Sequence, residues 1–203
     1  AQSAAIPKGA KVSSLGGVSC SSTSACTAVG AYTNSSAVEV TLAESWNGKE
    51  WSVQSTPNPS QAKASVFSAV ACPTKACYAV GSYVNGSGVK EAFAETYSGT
   101  AWSLQSVPSA NGAKGSELSS ISCVSASACT SVGSYTSKAG AKETLALGWN
   151  GTLWSLQSTP NPSEGKGMAL AGVSCVWVTG CYDVGFYTNA KSTQVTLGQK
   201  YYG

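Results

Sequence analysis

The chain has no histidine and no arginine, one aspartate (Asp183), one methionine, and only 10% charged residues among its 203. Without histidine there is no Ser-His or Cys-His relay and no imidazole ligand for a metal. A lone aspartate excludes Asp-rich calcium loops. Twelve lysines against nine acidic residues leave a formal charge of +3, too little for a nucleic-acid surface, which needs clustered Lys and Arg and a pI above about 9. No apolar run approaches the ~18 residues of a membrane span. The first residues, Ala1-Gln2-Ser3-Ala4, have neither the basic start nor the apolar stretch of a leader and read as a mature end. Glu44 and Glu95 repeat in successive units and could pair as the acid and nucleophile of a glycosidase. The matching positions hold Leu147 and Gln199, so the expectation is a protein without enzymatic activity, cofactor or metal.

What is present is a repeat. The pattern Val-x-Cys, Cys-x-x-Val-Gly-x-Tyr, Leu-x-x-x-Trp-x-Gly, Trp-Ser-x-Gln returns every 51 or 52 residues, keeping Cys20, Cys72, Cys123 and Cys175 in step. Gly30, Gly81, Gly133 and Gly185 follow the same period, as do Tyr32, Tyr83, Tyr135 and Tyr187. Each unit holds four short segments of β-type composition, which in the third run over 118–124, 128–136, 143–149 and 153–158. The third segment of the first unit alternates Val40, Leu42, Glu44 and Trp46 with Thr41, Ala43, Ser45 and Asn47, the period of a half-buried strand. Asn47-Gly48 and Asn150-Gly151 supply the positive φ that a tight hairpin into Trp51 and Trp154 needs.

Four strands at this period make the blade of a propeller, and no 3.6-residue periodicity supports a helical solenoid. The predicted fold is one all-β domain over residues 1–203, a four-bladed β-propeller of four-stranded blades. Its repeats cover about 12–60, 61–111, 112–163, and 164–203 plus 1–11. Gln2 stands in register with Gln54, Gln105 and Gln157, and Gly203 with Gly48, Gly99 and Gly151. The amino-terminal strand is therefore predicted to pair with the strand containing Thr196 and Leu197 and to close the ring, leaving no open edge there. Small residues concentrate in each first segment, as a crowded propeller axis requires: Gly16, Gly17 and Ser19, then Ser68, Ala69 and Ala71. The later units carry Ser119, Ser120 and Ser122, then Ala171, Gly172 and Ser174.

The cysteines pair as Cys20 with Cys26, Cys72 with Cys77, Cys123 with Cys129 and Cys175 with Cys181, at the facing ends of the first two segments. One disulfide per blade is expected, each closing a very short loop and contributing about 2 kcal/mol. Zinc pairs usually have two to four residues between the thiolates, whereas these have four or five. An even, closely paired set favours an oxidising, extracellular compartment.

The units, in particular Gly17-Val18-Ser19-Cys20, Ala28-Val29-Gly30, Thr41 through Gly48, and Gln54-Ser55-Thr56-Pro57-Asn58-Pro59, resemble a repeat of secreted proteins from filamentous actinobacteria. The resemblance covers essentially the whole chain. Similar modules look like the lectin subunits of the umbrella-type toxins, which are secreted multi-protein antibacterial particles. By analogy with aromatic-Gly propellers the resemblance implies a lectin.

The aromatics fall into two sets. Trp51, Trp102 and Trp154 open the outer strand and are expected to pack between blades. Trp46, Tyr97, Trp149 and Tyr201 precede the hairpin turn, where they either pack in the core or offer a face, beside Asn47 or Asn150, for a sugar ring. Lys11, Lys63, Lys114 and Lys166 each lie nine residues before a first cysteine. They serve either as solubilising loop charges or as a cationic ring for an anionic glycan or acidic partner. Lys90, Lys138, Lys142 and Lys191 belong to the same face, offset in part by Glu39, Glu91 and Glu143. Unit four departs from its sisters at Trp177, Asp183 and Phe186. Trp177, between two cysteines, is either an exposed contact or a cap over the amino-terminal seam. The leading functional expectation is a non-enzymatic, carbohydrate-binding propeller recognising a cell-surface or polymer glycan. The alternative is a protein-binding module that presents one disc face to a secreted partner.

Overall fold

The structure, a computed structural model, describes residues 3–201, the last by its backbone alone. Its regular structure is all strand among the described residues. Unit 1 comprises β1 (Val12–Ser22), β2 (Ala25–Thr33), β3 (Glu39–Trp46) and β4 (Trp51–Gln54). Unit 2 comprises β5 (Ala64–Ala71), β6 (Cys77–Val84), β7 (Lys90–Tyr97) and β8 (Trp102–Gln105). Unit 3 comprises β9 (Gly115–Ser125), β10 (Ala128–Thr136), β11 (Lys142–Trp149) and β12 (Trp154–Gln157). Unit 4 has β13 (Lys166–Trp177), β14 (Gly180–Thr188) and β15 (Gln194–Tyr201). Every unit is an antiparallel meander, and one parallel bridge, Glu39 to Ala64, joins the sheets of units 1 and 2. All four expected disulfides are present, each within its own unit.

The repeated glycine has a backbone cause. Each first strand carries a bulge, at Leu15/Gly17, Phe67/Ala69 and Leu170/Gly172, with the matching register shift at Val132/Gly133 in unit 3. The extra residue bends the strand and disrupts the ladder locally, and a carbonyl beside the bulge lies close to the paired glycine. A Cβ on Gly30, Gly81, Gly133 or Gly185 would collide with the carbonyl oxygen of Ser14, Val66, Glu117 or Ala169. Glycine is what lets the two backbones approach.

Successive units bury one face of each against the next. Between units 1 and 2, Val29 and Ala43 meet Phe67, Val70 and Phe93. Between units 2 and 3, Val80 and Ala94 meet Leu118, Ile121 and Leu145. Between units 3 and 4, Val132 and Ala146 meet Leu170, Val173 and Leu197. Trp102 and Trp154 are buried in the first two of these clusters, as their position at the start of an outer strand predicts. The first strands pack in succession, β1 on β5, β5 on β9 and β9 on β13, and the small residues lie where they approach. A Cβ on Gly17 would stand 3.0 Å from Ala69 Cα.

The ring expected from the sequence is not closed among the described residues. β13 has no comparable packing on β1, and β15 pairs only with β14. Gln2 lies outside the described residues, and Ser3 and Ala4 belong to no strand. The Ala5 backbone N–H instead donates to Glu44 Oε2 at 3.0 Å, on unit 1. Small residues in a first strand report how closely neighbouring strands approach, not how many units complete a circle. The hairpin turns also differ from the two-residue form: Trp46 pairs with Trp51, so residues 47–50 make a four-residue loop. There Gly48 alone takes positive φ, at 94°, while Asn47 Oδ1 accepts the N–H groups of Lys49 and Glu50.

Candidate functional site

The disulfides of all four units and the β3–β4, β7–β8 and β11–β12 turns of units 1 to 3 lie at one end, because Cys26, Cys77, Cys129 and Cys181 stand opposite Trp46, Tyr97, Trp149 and Tyr201. The four repeated loop lysines belong to the other end. Lys11, Lys63 and Lys114 donate their backbone N–H to Thr33, Val84 and Thr136, and Lys166 pairs with Thr188. At that end Lys90, Lys114 and Lys142 line a cleft of about 390 Å³ between units 2 and 3. Lys90 and Lys142 are both held by Glu117, at 3.2 and 2.9 Å. Burial pushes the Glu117 carboxyl up, but the hydrogen bonds and charges of Lys142 and Lys90 outweigh it and hold it down at about 2. The cleft's charge is thus largely spent internally.

At the disulfide end the residue after each second cysteine decides whether a groove opens between units. In unit 2 it is Tyr78, whose ring lies 5.9 Å from that of Trp149 and whose hydroxyl donates to the Ala126 carbonyl at 2.5 Å. That side chain fills the junction between units 2 and 3. Units 1 and 3 have Thr27 and Thr130 there, with hydroxyls 3.4 Å from the sulfurs of Cys77 and Cys181. These sulfurs are in disulfides, so the threonines donate. The smaller side chain leaves a groove of about 240 Å³ between units 1 and 2 and one of about 250 Å³ between units 3 and 4.

The two grooves are not equivalent. The first is lined by Trp46, Tyr97, Thr74 and Lys75. Its one deep carboxamide acceptor, Gln54 Oε1, is taken by Trp102 Nε1 at 2.9 Å. The second is lined by Trp149, Asn150, Trp177, Thr179 and Gln157, and brings together three of the residues singled out in the sequence. Unit 4 presents no described tryptophan to play the part of Trp102, and Gln157 Oε1 is buried without a hydrogen-bond partner. Gln157 reaches this place because Gly148 has no side chain, a Cβ there colliding with the Gln157 carboxamide. The units before it have Ser45 and Thr96 at that position.

Trp177 forms the rim. It is 58% exposed, yet its indole lies flat enough on Gly180 that a Cβ at that glycine would strike the ring. The indole thus rests against the Gly180 backbone with more than half of the residue open to solvent. Trp149 is buried, tilted against Trp154 at 5.5 Å, with its Nε1 donating to the Ala126 carbonyl at 3.2 Å. It serves as a packed wall and not as a free platform. Asn150 Oδ1 accepts from Thr152 and Leu153, so its oxygen belongs to the turn. Trp46 and Tyr97 are half-buried on the other groove, Asn47 is exposed on its turn, and the Tyr201 side chain lies outside the described residues. Neither Gln157 nor the Thr130 and Tyr78 difference stood out in the sequence. Aligning the position after each second cysteine exposes the latter.

No protein-family model and no curated protein sequence matches the chain. Among solved structures, it superposes on the Hadza microbial sialidase Hz136 at a TM-score of 0.52 and 7% identity, over 91% of this chain and 52% of that one. It therefore spans about half the length of the sialidase. It also aligns with YCF48 from Cyanidioschyzon merolae at a TM-score of 0.40 and 9% identity, over 97% of this chain and 73% of that one. The likeness to the sialidase is one of fold, and the chain is an all-β protein of propeller type with four disulfides.

Proposed function

We propose that the protein is a secreted, non-enzymatic module that binds a neutral glycan in the groove between units 3 and 4. One observation carries this reading: an exposed Trp177 face stands over a groove whose buried Gln157 oxygen has no partner. A sugar ring offers an apolar face for the indole and hydroxyls for the polar side chains that line the groove, Thr179 and Gln157 among them. The volume of about 250 Å³ lies just below the ~300–1,000 Å³ of drug-sized pockets and suits one ring of a longer glycan. The four disulfides support an oxidising, extracellular setting.

The test is glycan-array screening followed by calorimetry with the best neutral oligosaccharide. Trp177→Ala is expected to weaken binding at least ~10-fold, the loss of about 1.4 kcal/mol of stacking. Trp46→Ala and Lys63→Ala are expected to leave it intact. Full binding by Trp177→Ala with an unchanged melting temperature would reject the site.

A further inference from the structure

The three internal junctions share one recipe, and the two ends of the chain each present half of it uncovered. Val29, Val80 and Val132 are fully buried under the following unit. Their counterpart in unit 4, Val184, is 57% exposed, and nothing lies within 4 Å of a Cβ placed on Gly198, where the other units bury Ala43, Ala94 and Ala146. On the receiving side, Phe67, Leu118 and Leu170 are buried against the preceding unit, whereas Leu15 of unit 1 is 41% exposed. Val18 is 63% exposed where Val70 and Ile121 are buried.

The two bare faces fit each other in detail. Unit 4 has Tyr182, 51% exposed, at the position of Tyr78. Unit 1 has the half-buried Trp46 at the position of Trp149. The Tyr78 to Trp149 contact is what fills the junction between units 2 and 3, so a junction from unit 4 to unit 1 carries the same aromatic pair. Ser174 occupies the place of Ser19 and Ser122, whose hydroxyls accept the N–H of Cys72 and Cys175 at 3.0 Å. Cys20 N–H is the matching donor. Unit 1 also already holds a chain segment as a following unit does. Ala5 sits on Glu44 just as Pro160, leaving unit 3, meets Gln199 of unit 4, the Gln199 carboxamide donating to its carbonyl at 2.6 Å.

We propose that unit 4 docks on unit 1 of a second copy of this chain, giving a two-fold pair in which each copy covers both bare faces of the other. A second copy is the occupant because both complementary faces exist on this chain, while among the described residues β13 and β1 of one chain make no packing comparable to that of β1 on β5, β5 on β9 or β9 on β13. The contact is a repeat of an interface the molecule already makes three times, and a head-to-tail contact of this type closes at two copies when the four units of each chain turn through half a circle.

Sedimentation equilibrium of the intact, disulfide-bonded protein is expected to give twice the 20.4 kDa chain mass. Val184→Glu and Leu15→Glu alter exposed positions and leave the folded monomer intact. Each places a carboxylate in the junction and is expected to weaken association at least ~100-fold. An equimolar mixture of the two variants regains one undamaged junction per pair and is expected to dimerise more tightly than either alone. A wild-type protein that remains monomeric at high concentration overturns the proposal, whether its faces stay bare or close on each other. Variants that dimerise like the wild type, or a mixture no tighter than its parts, also overturn it.

Discussion

Glu95 should make the protein less stable as the pH rises from acid to neutral. The side chain is almost wholly buried at the junction of units 1 and 2, on the face of β7 that also carries Phe93, and neither carboxyl oxygen has a partner. Burial alone pushes its pKa from 4.5 up to about 8. The charged form is what the low-dielectric junction rejects, so the native state keeps the proton that the unfolded chain releases. Below about 4.5 both states are protonated and the group contributes no pH dependence. Between about 4.5 and about 8 only the unfolded chain ionises, and each pH unit costs the native state up to ~1.4 kcal/mol. Above about 8 both states are charged and the slope ends. The accumulated cost has a ceiling of about 4–5 kcal/mol.

The repeat itself suggests the control, since the same position is Leu147 in unit 3 and Gln199 in unit 4. Glu95→Gln and Glu95→Leu therefore fit a site the fold already builds without charge. Urea denaturation from pH 4.5 to pH 8.5 is expected to show both variants pulling ahead of the wild type as the pH rises, with the curves converging at the acid end. Glu117, held down at about 2, acts in a separate window. Its contribution is present above its ordinary 4.5 and is lost as the pH falls through about 2. Parallel profiles for wild type and Glu95→Gln would refute the reasoning, because no other feature of the substitution carries a pH dependence.

Two further perturbations probe the repeat. Gly81→Ala should destabilise by more than about 3 kcal/mol in urea denaturation, since the new methyl meets the Val66 carbonyl in a bulge that cannot move freely. Gly88→Ala, in open space at a φ of 84°, should cost only about 1 kcal/mol. Asp183 is buried with one unpartnered oxygen, and burial raises its pKa from 3.8 to about 6. Its native state therefore loses stability between about pH 3.8 and about 6. Asp183→Ser copies the residue that unit 3 has at this position, Ser131, whose hydroxyl donates to the Ser120 carbonyl at 2.9 Å. The change should raise the melting temperature at pH 7 and have little effect at pH 3.5.

What was legible in the sequence is what recurs. Strand limits in unit 3 came within a few residues, since Gly133, Tyr135 and Trp149 mark the same register in every copy, and the cysteine pairs followed from the hairpin they close. Closure was not legible, because register between Gln2 and Gln54 states which strand a segment imitates and nothing about which unit it lies beside. The groove escaped for a related reason. Tyr78 and Thr130 are both ordinary strand residues, and only their rings or methyls facing a neighbouring unit make one junction full and the other open. Gln157 belongs to the repeat, and looks structural in Gln54, where a tryptophan satisfies it. In unit 3 the Gln157 Oε1 is buried with no hydrogen-bond partner among the described residues, and unit 4 presents no described tryptophan in the place of Trp102. In a repeat protein, then, the residues to read for function include conventional ones that find a partner on the adjacent unit in one copy and none in another. Trp177 was visible because it departs from the pattern, whereas Gln157 was hidden because it keeps it.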